Sequence, residues 1–369
     1  MVWHEKISSL YIGIYELKTI THLRVGSGEA IKLPTPIDNP QTRILRLEPG
    51  KLEGEWYVYI PASSLHGVIR SSLETYLRTT SPSPKSFGEI LNEIQAQELK
   101  KARGKLSVTL LDNVDSLPLY PATCYTTFEF DKCEIPLRKE QENWKEKYFE
   151  SIGRYRLKDG KHQPYMCYVC QTFGAAGFRG RVRILSAYPS EKTIEKLPLE
   201  IITRTAIDRV TGAVTPGALF DLEAVPPGTQ FYFAVIIENA FEEVTYLKGF
   251  DKNNLISVIN ENASTVNYLD LFKKGVRMIS KGIVNIGAHG TIGFGYVSLK
   301  EKCSLSIFSN EIRDFVKMFL EEKNEKERFK AIYDKFKNKL SKDEEGELDI
   351  KEEFYPEIIR LLIKYYRGK

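Results

Sequence analysis

Three separated segments rich in glycine and proline carry groups that could act on a polyanion. The first, residues 35–40 (Thr-Pro-Ile-Asp-Asn-Pro), holds Asp38 between two prolines. A loop carboxylate of this kind can hold a hydrated Mg²⁺ ion. Asp-Asn-Pro is equally common turn chemistry, in which the aspartate closes an Asx-turn. The local sequence leaves both roles open, and they do not exclude each other.

The other two segments predict backbone sites for phosphate. Residues 59–70 (Tyr-Ile-Pro-Ala-Ser-Ser-Leu-His-Gly-Val-Ile-Arg) predict a strand that passes into a helix capped by Ser63 or Ser64. The first turn of such a helix leaves N–H groups for an anion. Residues 287–295 (Gly-Ala-His-Gly-Thr-Ile-Gly-Phe-Gly) predict a loop that approaches a ligand closely, because glycine has no Cβ. Two such elements in one chain indicate a nucleic-acid groove.

Four cysteines predict a zinc site. Cys167 and Cys170 have the two-residue spacing that lets both thiolates reach one zinc ion. Cys124 and Cys133 would complete a four-thiolate site, with His162 as the alternative fourth ligand. Two other interpretations remain, namely cysteines that pack as small hydrophobic side chains and a disulfide in a hyperthermophile cytosol. A thioredoxin-like pair is excluded because no βαβ pattern surrounds it. Structural zinc is the favoured interpretation.

The elements that must position these segments follow the order strand, helix, insertion, strand, hairpin, strand, helix, strand. This order predicts an α+β fold with a ferredoxin-like (RRM-like) βαββαβ palm. Residues 1–305 would form this domain, with an insertion at about 80–170 and a hairpin at about 190–220. Residues 306–369 predict a helical appendage for packing or partner docking. An apolar stripe at spacings of four predicts the first helix of the palm: Leu65, Ile69, Leu73 and Leu77.

Length and composition indicate a globular protein with a full core. The chain has 369 residues, 42% hydrophobic and 28% charged, and a net charge of +4. No apolar run is long enough for a bilayer and the first residues lack a signal-peptide core, so we expect a cytoplasmic protein without membrane association. The charge permits nucleic acid as a partner. Arg179, Arg181 and Arg183 alternate along a predicted strand, where they either track phosphates or form a solvated face.

Taken in order, these segments resemble the RAMP superfamily of CRISPR-associated proteins, and most closely the backbone (Csm-type) subunit of type III effector complexes. The similarity spans roughly residues 8–300 and is specific as a constellation. The family's Ile-Asp-Asn/Ser-Pro segment, Pro-Gly-Ser-Ser-Leu-Lys-Gly helix start, Phe-Gly and Gly-Arg-Val segments, Ile-Asp-Arg thumb and glycine-rich loop are matched by residues 37–40, 61–67, 173–174, 180–182, 207–209 and 287–295. The sequence departs from this pattern at Ala62 and His66, in its long insertion and in its C-terminal helices.

The resemblance implies a guide-RNA-binding subunit of a type III CRISPR ribonucleoprotein that cleaves complementary target RNA in antiviral defence. It would be an endoribonuclease active within the assembled complex, with Asp38 as catalytic residue and Mg²⁺ or Mn²⁺ as cofactor. Its partners would be guide RNA, target RNA, other subunits and further copies of related subunits. The implied RNA contacts lie at the helix start, the arginine strand, the thumb and the glycine loop: Ser63, Ser64, His66, Arg70, Arg179, Arg181, Arg204, Arg209, Gly287, His289, Gly290 and Gly293.

Two alternative functions remain compatible with the sequence. In a non-catalytic end-cap or stalk subunit of the same complex, Asp38 would be a turn residue only. A guide-RNA-processing endoribonuclease would need a catalytic histidine, and His22 and His289, beside the two glycine turns, are the candidates. The thumb residues also have two interpretations, which do not exclude each other. They could help to wedge guide and target apart, or an Asp–Arg ion pair among them could pin the hairpin: Arg204, Asp208, Arg209 and Thr211.

Overall fold

The computed structural model describes residues 7–26, 40–47, 54–80, 123, 167–175, 179–194, 196–247, 263–320, 324–342 and 348–367. The β-strands in these ranges are β1 Ser9–Thr19, β2 Arg43–Leu47, β3 Gly54–Val58, β4 Val182–Ile184, β5 Tyr188–Pro189, β6 Glu200–Ile207, β7 Val214–Ala224, β8 Gln230–Glu238, β9 Glu243–Leu247, β10 Ala263–Asn267, β11 Val297–Phe308 and β12 Leu340–Lys342. The α-helices are α1 Ala62–Thr80, α2 Tyr168–Phe173, α3 Tyr268–Ser280, α4 Ser309–Leu320, α5 Glu325–Phe336 and α6 Glu357–Arg367. Short 3₁₀ turns occur at Gly290–Ile292, Lys337–Lys339 and Glu352–Phe354.

The chain divides into two units. The first consists of Met1–Ser9, Arg70–Arg183 and Ile237–Gly275, and the second of Leu10–Ile69, Ile184–Ile236 and Val276–Lys369. Among the described helices none is long and apolar enough to cross a membrane.

A six-stranded sheet and three two-stranded ribbons make up the β-structure of the described residues. The sheet has the order β12-β11-β1-β8-β4, and β5 also pairs with β8, antiparallel, with Tyr188 opposite Tyr232. The antiparallel ribbons are β2–β3, β6–β7 and β9–β10. The structure is therefore α+β, as the sequence predicts. The β6–β7 ribbon forms the protruding hairpin, and most of its residues before Asp221 are exposed.

The core of the second unit lies between one face of the sheet and the C-terminal helices. Ile12, Ala234 and Leu305 point into it from β1, β8 and β11, and Phe315 and Ile359 cover them from α4 and α6. The alternation of Leu10, Ile12 and Ile14 correctly indicates the face of β1 that packs into this core, and Tyr11 and Tyr15 on the other face are buried too. The segment after residue 305 is more than a helical appendage, because β12 joins the sheet beside β11.

Helix α1 buries the stripe predicted for it. Leu65, Ile69, Leu73 and Leu77 are each 0% exposed, which confirms the helical periodicity. The predicted cap is wrong, because the helix begins at Ala62, ahead of both serines. The N–H of Ala62 donates to Oγ of Ser186 (3.2 Å), so a serine from a different segment satisfies this first N–H group.

Candidate nucleic-acid interface

The first turn of α1 has one N–H group with no partner among the described residues. Ser64 and Leu65 both donate their N–H groups to the carbonyl oxygen of Pro61, at 3.0 and 3.2 Å, and Ala62 donates to Ser186. The N–H of the exposed Ser63 is the remaining donor of this turn. His66 is half-buried on the next turn. The first turn of α1 therefore offers the N–H of Ser63 alone as an available donor among the described residues, fewer than the sequence predicts.

Backbone hydrogen bonds hold the glycine loop against residues 22–24, which follow β1. The N–H of Ala288 donates to the carbonyl oxygen of Arg24, and that of Gly295 donates to the carbonyl oxygen of His22, both at 2.8 Å. Gly287 has a φ of 82°, and a Cβ there would lie 2.2 Å from the carbonyl oxygen of Arg24. This close approach of two backbones requires glycine at position 287.

Beyond Gly287 the loop offers unbonded donors. His289 adopts a left-handed backbone conformation with a φ of 65° and precedes the 3₁₀ turn Gly290–Ile292. The N–H groups of Gly290 and Thr291 donate no hydrogen bond within the described part of the chain. A Cβ at Gly293 would meet no atom within 4 Å, so there is room for a side chain at that position. The loop thus presents backbone N–H groups at a partly exposed turn.

A cluster of basic side chains surrounds the loop, and we call it the Phe294 cluster: His22, Arg24, Arg204 and His289 around the ring of Phe294. The rings of His22 and His289 lie 5.6 and 5.9 Å from the ring of Phe294, and the guanidinium of Arg204 lies 5.7 Å from it. Nη1 of Arg24 is 3.4 Å from Nε2 of His289. Folding therefore brings together basic groups from three separate segments.

The positive charges in the Phe294 cluster repel one another. Burial, and then the positive charges of Arg24 and Arg204, lower the pKa of His289 below its ordinary value. Burial also lowers the pKa of Arg24. Nε2 of His22 lies 2.5 Å from Oε2 of the half-exposed Glu200, which places one negative charge at the edge of the cluster. Like charges held close together favour an anionic ligand, since it would offset their repulsion.

The tip of the β6–β7 ribbon is organised by Asp208. Its Oδ1 accepts hydrogen bonds from the N–H groups of Val210 and Thr211 and from the Thr211 hydroxyl, at 2.9, 2.7 and 3.0 Å. These bonds hold the pKa of the Asp208 carboxyl below its ordinary value. The turn thus depends on Asp208 and Thr211, while Arg209 is exposed and makes no hydrogen bond with the described residues.

The three arginines of the predicted strand do not share one exposed face. Nη2 of both Arg179 and Arg183 contacts Oε1 of the buried Glu238, at 2.6 and 2.8 Å, while their side chains remain 64% and 49% exposed. Arg181 is 8% exposed, forms an ion pair with Glu242 (3.1 Å) and lies over the ring of Tyr268 (3.9 Å). The Arg181 side chain therefore has a packing role, whereas Arg179 and Arg183 together carry one charge more than their shared carboxylate neutralises.

The Arg70 side chain likewise donates its hydrogen bonds to other residues of the first unit. Its Nε donates to Oε1 of Glu74 (2.9 Å), its Nη1 to the carbonyl oxygen of Gly174 (2.7 Å) and its Nη2 to Sγ of Cys170 (3.3 Å). Cys167 and Cys170 form no disulfide with each other and are 0% and 1% exposed. Cys124, Cys133 and His162 lie outside the described residues. Within those residues no group of three or more His, Cys, Asp or Glu side chains could hold a metal ion.

Asp38 also lies outside the described residues, but both ends of its segment are fixed. Gly26 pairs with Gln41, and the N–H of Thr42 donates to the carbonyl oxygen of Val25 (2.9 Å). Oε2 of the buried Glu223 accepts from the N–H of Gln41 (2.9 Å), and its Oε1 accepts from Arg43 (2.8 Å). The described residues on either side of the segment that carries Asp38 are therefore held together by backbone pairing.

Sequence reasoning missed Arg24 and Phe294. Arg24 stands two residues before Gly26-Ser-Gly28, and Phe294 lies inside the glycine motif, so their positions carried a signal. Their importance follows from contacts between segments that are far apart in the chain, which no local pattern contains.

A family model for the RAMP superfamily matches residues 16–298. The chain belongs to the RAMP superfamily. RAMP proteins are associated with CRISPR effector complexes and bind RNA. The matched range includes the whole Phe294 cluster, the β6–β7 ribbon and Asp38. No curated protein matches the sequence.

Proposed function

We propose that this RAMP protein binds guide RNA as a subunit of a type III CRISPR effector complex and cleaves complementary target RNA. The Phe294 cluster is the observation that carries the proposal. It combines two arginines and two histidines with the unbonded N–H groups of Gly290 and Thr291. Arginine, histidine and backbone donors suit phosphate oxygens, so the protein would grip the RNA backbone and leave the bases free for pairing.

The arrangement of the palm supports this function. Six elements would form the palm, in the chain order β1, α1, β4, β8, α3 and β11, and their strands have the sheet order β11-β1-β8-β4. Both orders are those expected of a ferredoxin-like βαββαβ palm, which supports the proposal. The β6–β7 ribbon, with its exposed Arg209, would be the thumb that separates guide from target.

Asp38 would serve cleavage rather than binding, because a carboxylate repels RNA phosphates. Mg²⁺ is commonly bound by one or two carboxylates together with water and substrate phosphates. One carboxylate at position 38 fits that donor set, and Glu223 is unsuited to add a second because it already binds Gln41 and Arg43. Asp38 would be the ligand of the ion, whose chemistry there would be to polarise the scissile phosphate.

The test is cleavage of labelled complementary RNA by the assembled complex with Mg²⁺ or Mn²⁺. Asp38→Asn should bind guide and target normally and lose the cuts, while the control Asp334→Asn on α5 should cleave like the wild type. Regularly spaced cuts at full rate with Asp38→Asn would remove Asp38 from the mechanism. A wild-type complex that lacks cuts only opposite this subunit would favour the end-cap function.

A second candidate function is guide-RNA processing by histidine catalysis, and the contact of both His22 and His289 with Phe294 favours it. One histidine would take the proton of a ribose 2′-hydroxyl as its oxygen attacks phosphorus, and the other would protonate the departing 5′-oxygen. The products would be a 2′,3′-cyclic phosphate and a 5′-hydroxyl. The lowered pKa of His289 keeps it in the neutral form that a general base needs.

This activity would differ from target cleavage in its cofactor requirement. It should persist in excess chelator, act on unprocessed guide RNA and disappear with His22→Asn. Histidine catalysis would be excluded if the wild-type protein showed no cleavage in excess chelator. It would also be excluded if His22→Asn cleaved in excess chelator as fast as the wild type.

A further inference from the structure

Two exposed arginines of the first unit are held together by one buried carboxylate. Nη2 of Arg179 and Nη2 of Arg183 both donate to Oε1 of Glu238, at 2.6 and 2.8 Å. The Glu238 side chain is 6% exposed, whereas those of Arg179 and Arg183 are 64% and 49% exposed. The carboxylate is therefore shielded from a ligand, while both arginines can be reached from solvent. We call these three residues the arginine clamp.

The segment between the two arginines is fixed by contacts within the same unit. A Cβ at Gly180 would lie 2.4 Å from a backbone nitrogen at the end of α2, so the two backbones pack directly against each other there. The buried Arg181 forms an ion pair with Glu242 (3.1 Å), and its carbonyl oxygen accepts from the N–H of Glu238 (3.0 Å). The backbone segments that carry the arginine clamp are thus joined, which limits how far its side chains can separate.

The charges of the arginine clamp favour an anion with one negative charge. Its two guanidinium groups carry +2 and its carboxylate −1, so one positive charge remains. The adjacent ion pair of Arg181 with Glu242 is balanced and adds no net charge. An RNA phosphodiester carries one negative charge, and guanidinium groups bind phosphate oxygens through their paired N–H donors. Two guanidinium groups held side by side therefore suit the two non-bridging oxygens of one phosphodiester.

We infer that the arginine clamp binds one phosphodiester of the guide RNA, with Arg179 and Arg183 donating to its oxygens and Glu238 as their positioning residue. The inference rests on the proposed RNA binding and adds a phosphate site on the first unit to the Phe294 cluster. Arg183 takes the role that the family resemblance implies for the buried Arg181. Because every nucleotide has such a phosphate, the clamp would hold RNA of any sequence.

The test measures the affinity of the full-length protein for guide RNA and for an unrelated RNA of equal length, as a function of salt concentration. Arg179→Gln and Arg183→Gln should each weaken binding of both RNAs about tenfold at low salt. Because the two arginines share one phosphate, the double substitution should weaken binding by much less than the product of the single effects. Its salt dependence should fall by about one ion and not two. Arg313→Gln, an exposed residue of α4, is the control and should leave affinity and salt dependence unchanged.

Glu238→Gln tests the positioning role, because it removes a negative charge and retains the length of the side chain. A carboxylate that only repelled RNA would strengthen binding when its charge was lost. We expect weaker binding instead, and we expect the effects of the two arginine substitutions to multiply in this background. Glu242→Gln makes the same change of charge and is the matched control, which should bind RNA at least as tightly as the wild type. The arginine substitutions lie at the surface and decide the test even if Glu238→Gln does not fold.

Five results would contradict this account at different points. Wild-type affinity in the double substitution, with RNA bound normally by the wild type, would exclude the clamp and leave the proposed function intact. Single effects that multiply, with a salt dependence lower by two ions, would mean two separate phosphate contacts. A loss of affinity only for RNA with a 5′-phosphate would assign the clamp to a terminal phosphate. Stronger binding by a folded Glu238→Gln would remove the positioning role. A wild-type protein that binds no RNA would overturn the proposed function itself.

Discussion

The guanidinium of Arg24 lies 3.4 Å from the imidazole of His289, although 265 residues separate them in the chain. The contact depends on the backbone, because the N–H of Ala288 donates to the carbonyl oxygen of Arg24 and Gly287 permits the close approach. His289 itself occupies a left-handed conformation. The left-handed turn that precedes β11 therefore brings these basic side chains together.

The lowered pKa of His289 predicts how stability depends on pH. Its ordinary value is 6.5, which the unfolded chain retains, and the folded value is lower. As the pH falls through 6.5, the unfolded state takes up a proton that the folded state does not, so the folded state loses stability. The unfolding temperature of the RNA-free protein should therefore decline below pH 6.5, and the decline should be smaller in His289→Asn.

RNA should reverse part of this effect, because bound phosphates favour the protonated imidazole. The affinity of wild type for RNA should rise as the pH falls, and that of His289→Asn should rise less. Asn is a suitable replacement because it tolerates the left-handed conformation. If the RNA affinities of wild type and His289→Asn changed identically with pH, the placement of His289 beside two arginines and the bound RNA would be contradicted.

Two glycines of the same loop should respond differently to alanine. A Cβ at Gly287 would meet the carbonyl oxygen of Arg24 at 2.2 Å, whereas a Cβ at Gly293 meets nothing within 4 Å. Both have positive φ, so each loses roughly 1–2 kcal/mol from the conformation alone. Gly287→Ala should lower the unfolding temperature further than Gly293→Ala and should weaken RNA binding. Equal unfolding temperatures would contradict the close backbone contact at Arg24.

The hairpin tip offers a matched pair of substitutions at Asp208. Asp208→Ala removes the acceptor of three hydrogen bonds, while Asp208→Asn removes the charge and retains Oδ1. We expect faster amide exchange at residues 209–213 and several-fold weaker RNA binding in Asp208→Ala. Asp208→Asn should bind RNA at least as well as the wild type, since it carries less negative charge. If Asp208→Ala bound RNA more strongly than the wild type, the ordered hairpin tip would contribute nothing to RNA binding.

Much of the fold can be predicted from local sequence. The stripe of α1 and the alternation of β1 follow from periodicity, because burial against one neighbour repeats with the period of the element. Alternation understates the burial of β1 and β8, however, because both strands are buried on their other face as well, where Tyr11 and Tyr232 lie. The start of α1 also escaped prediction, because Ser186 from another segment satisfies the N–H of Ala62.

The site is less predictable than the fold. Arginines are recognised by type, but their partners lie elsewhere: Arg181 meets Tyr268 and Glu242, and Arg70 meets the thiol of Cys170. Such pairings arise from topology, and they decide whether a charge faces a ligand or the interior. The glycine loop could be found locally because its backbone requirement is encoded in its own residues.

The most direct test of the RNA-binding surface is the affinity of Arg204→Gln for guide RNA as a function of salt concentration. Arg204 reaches the ring of Phe294 and makes no ion pair with the described residues, so its charge should be available to a phosphate. We predict weaker binding by about the same factor for unrelated RNA sequences, and a salt dependence lower by about one ion. Lys317→Gln on α4 is the control and should leave both unchanged. Unaltered affinity and salt dependence in Arg204→Gln, or a changed base preference with the salt dependence intact, would contradict a backbone grip at the Phe294 cluster.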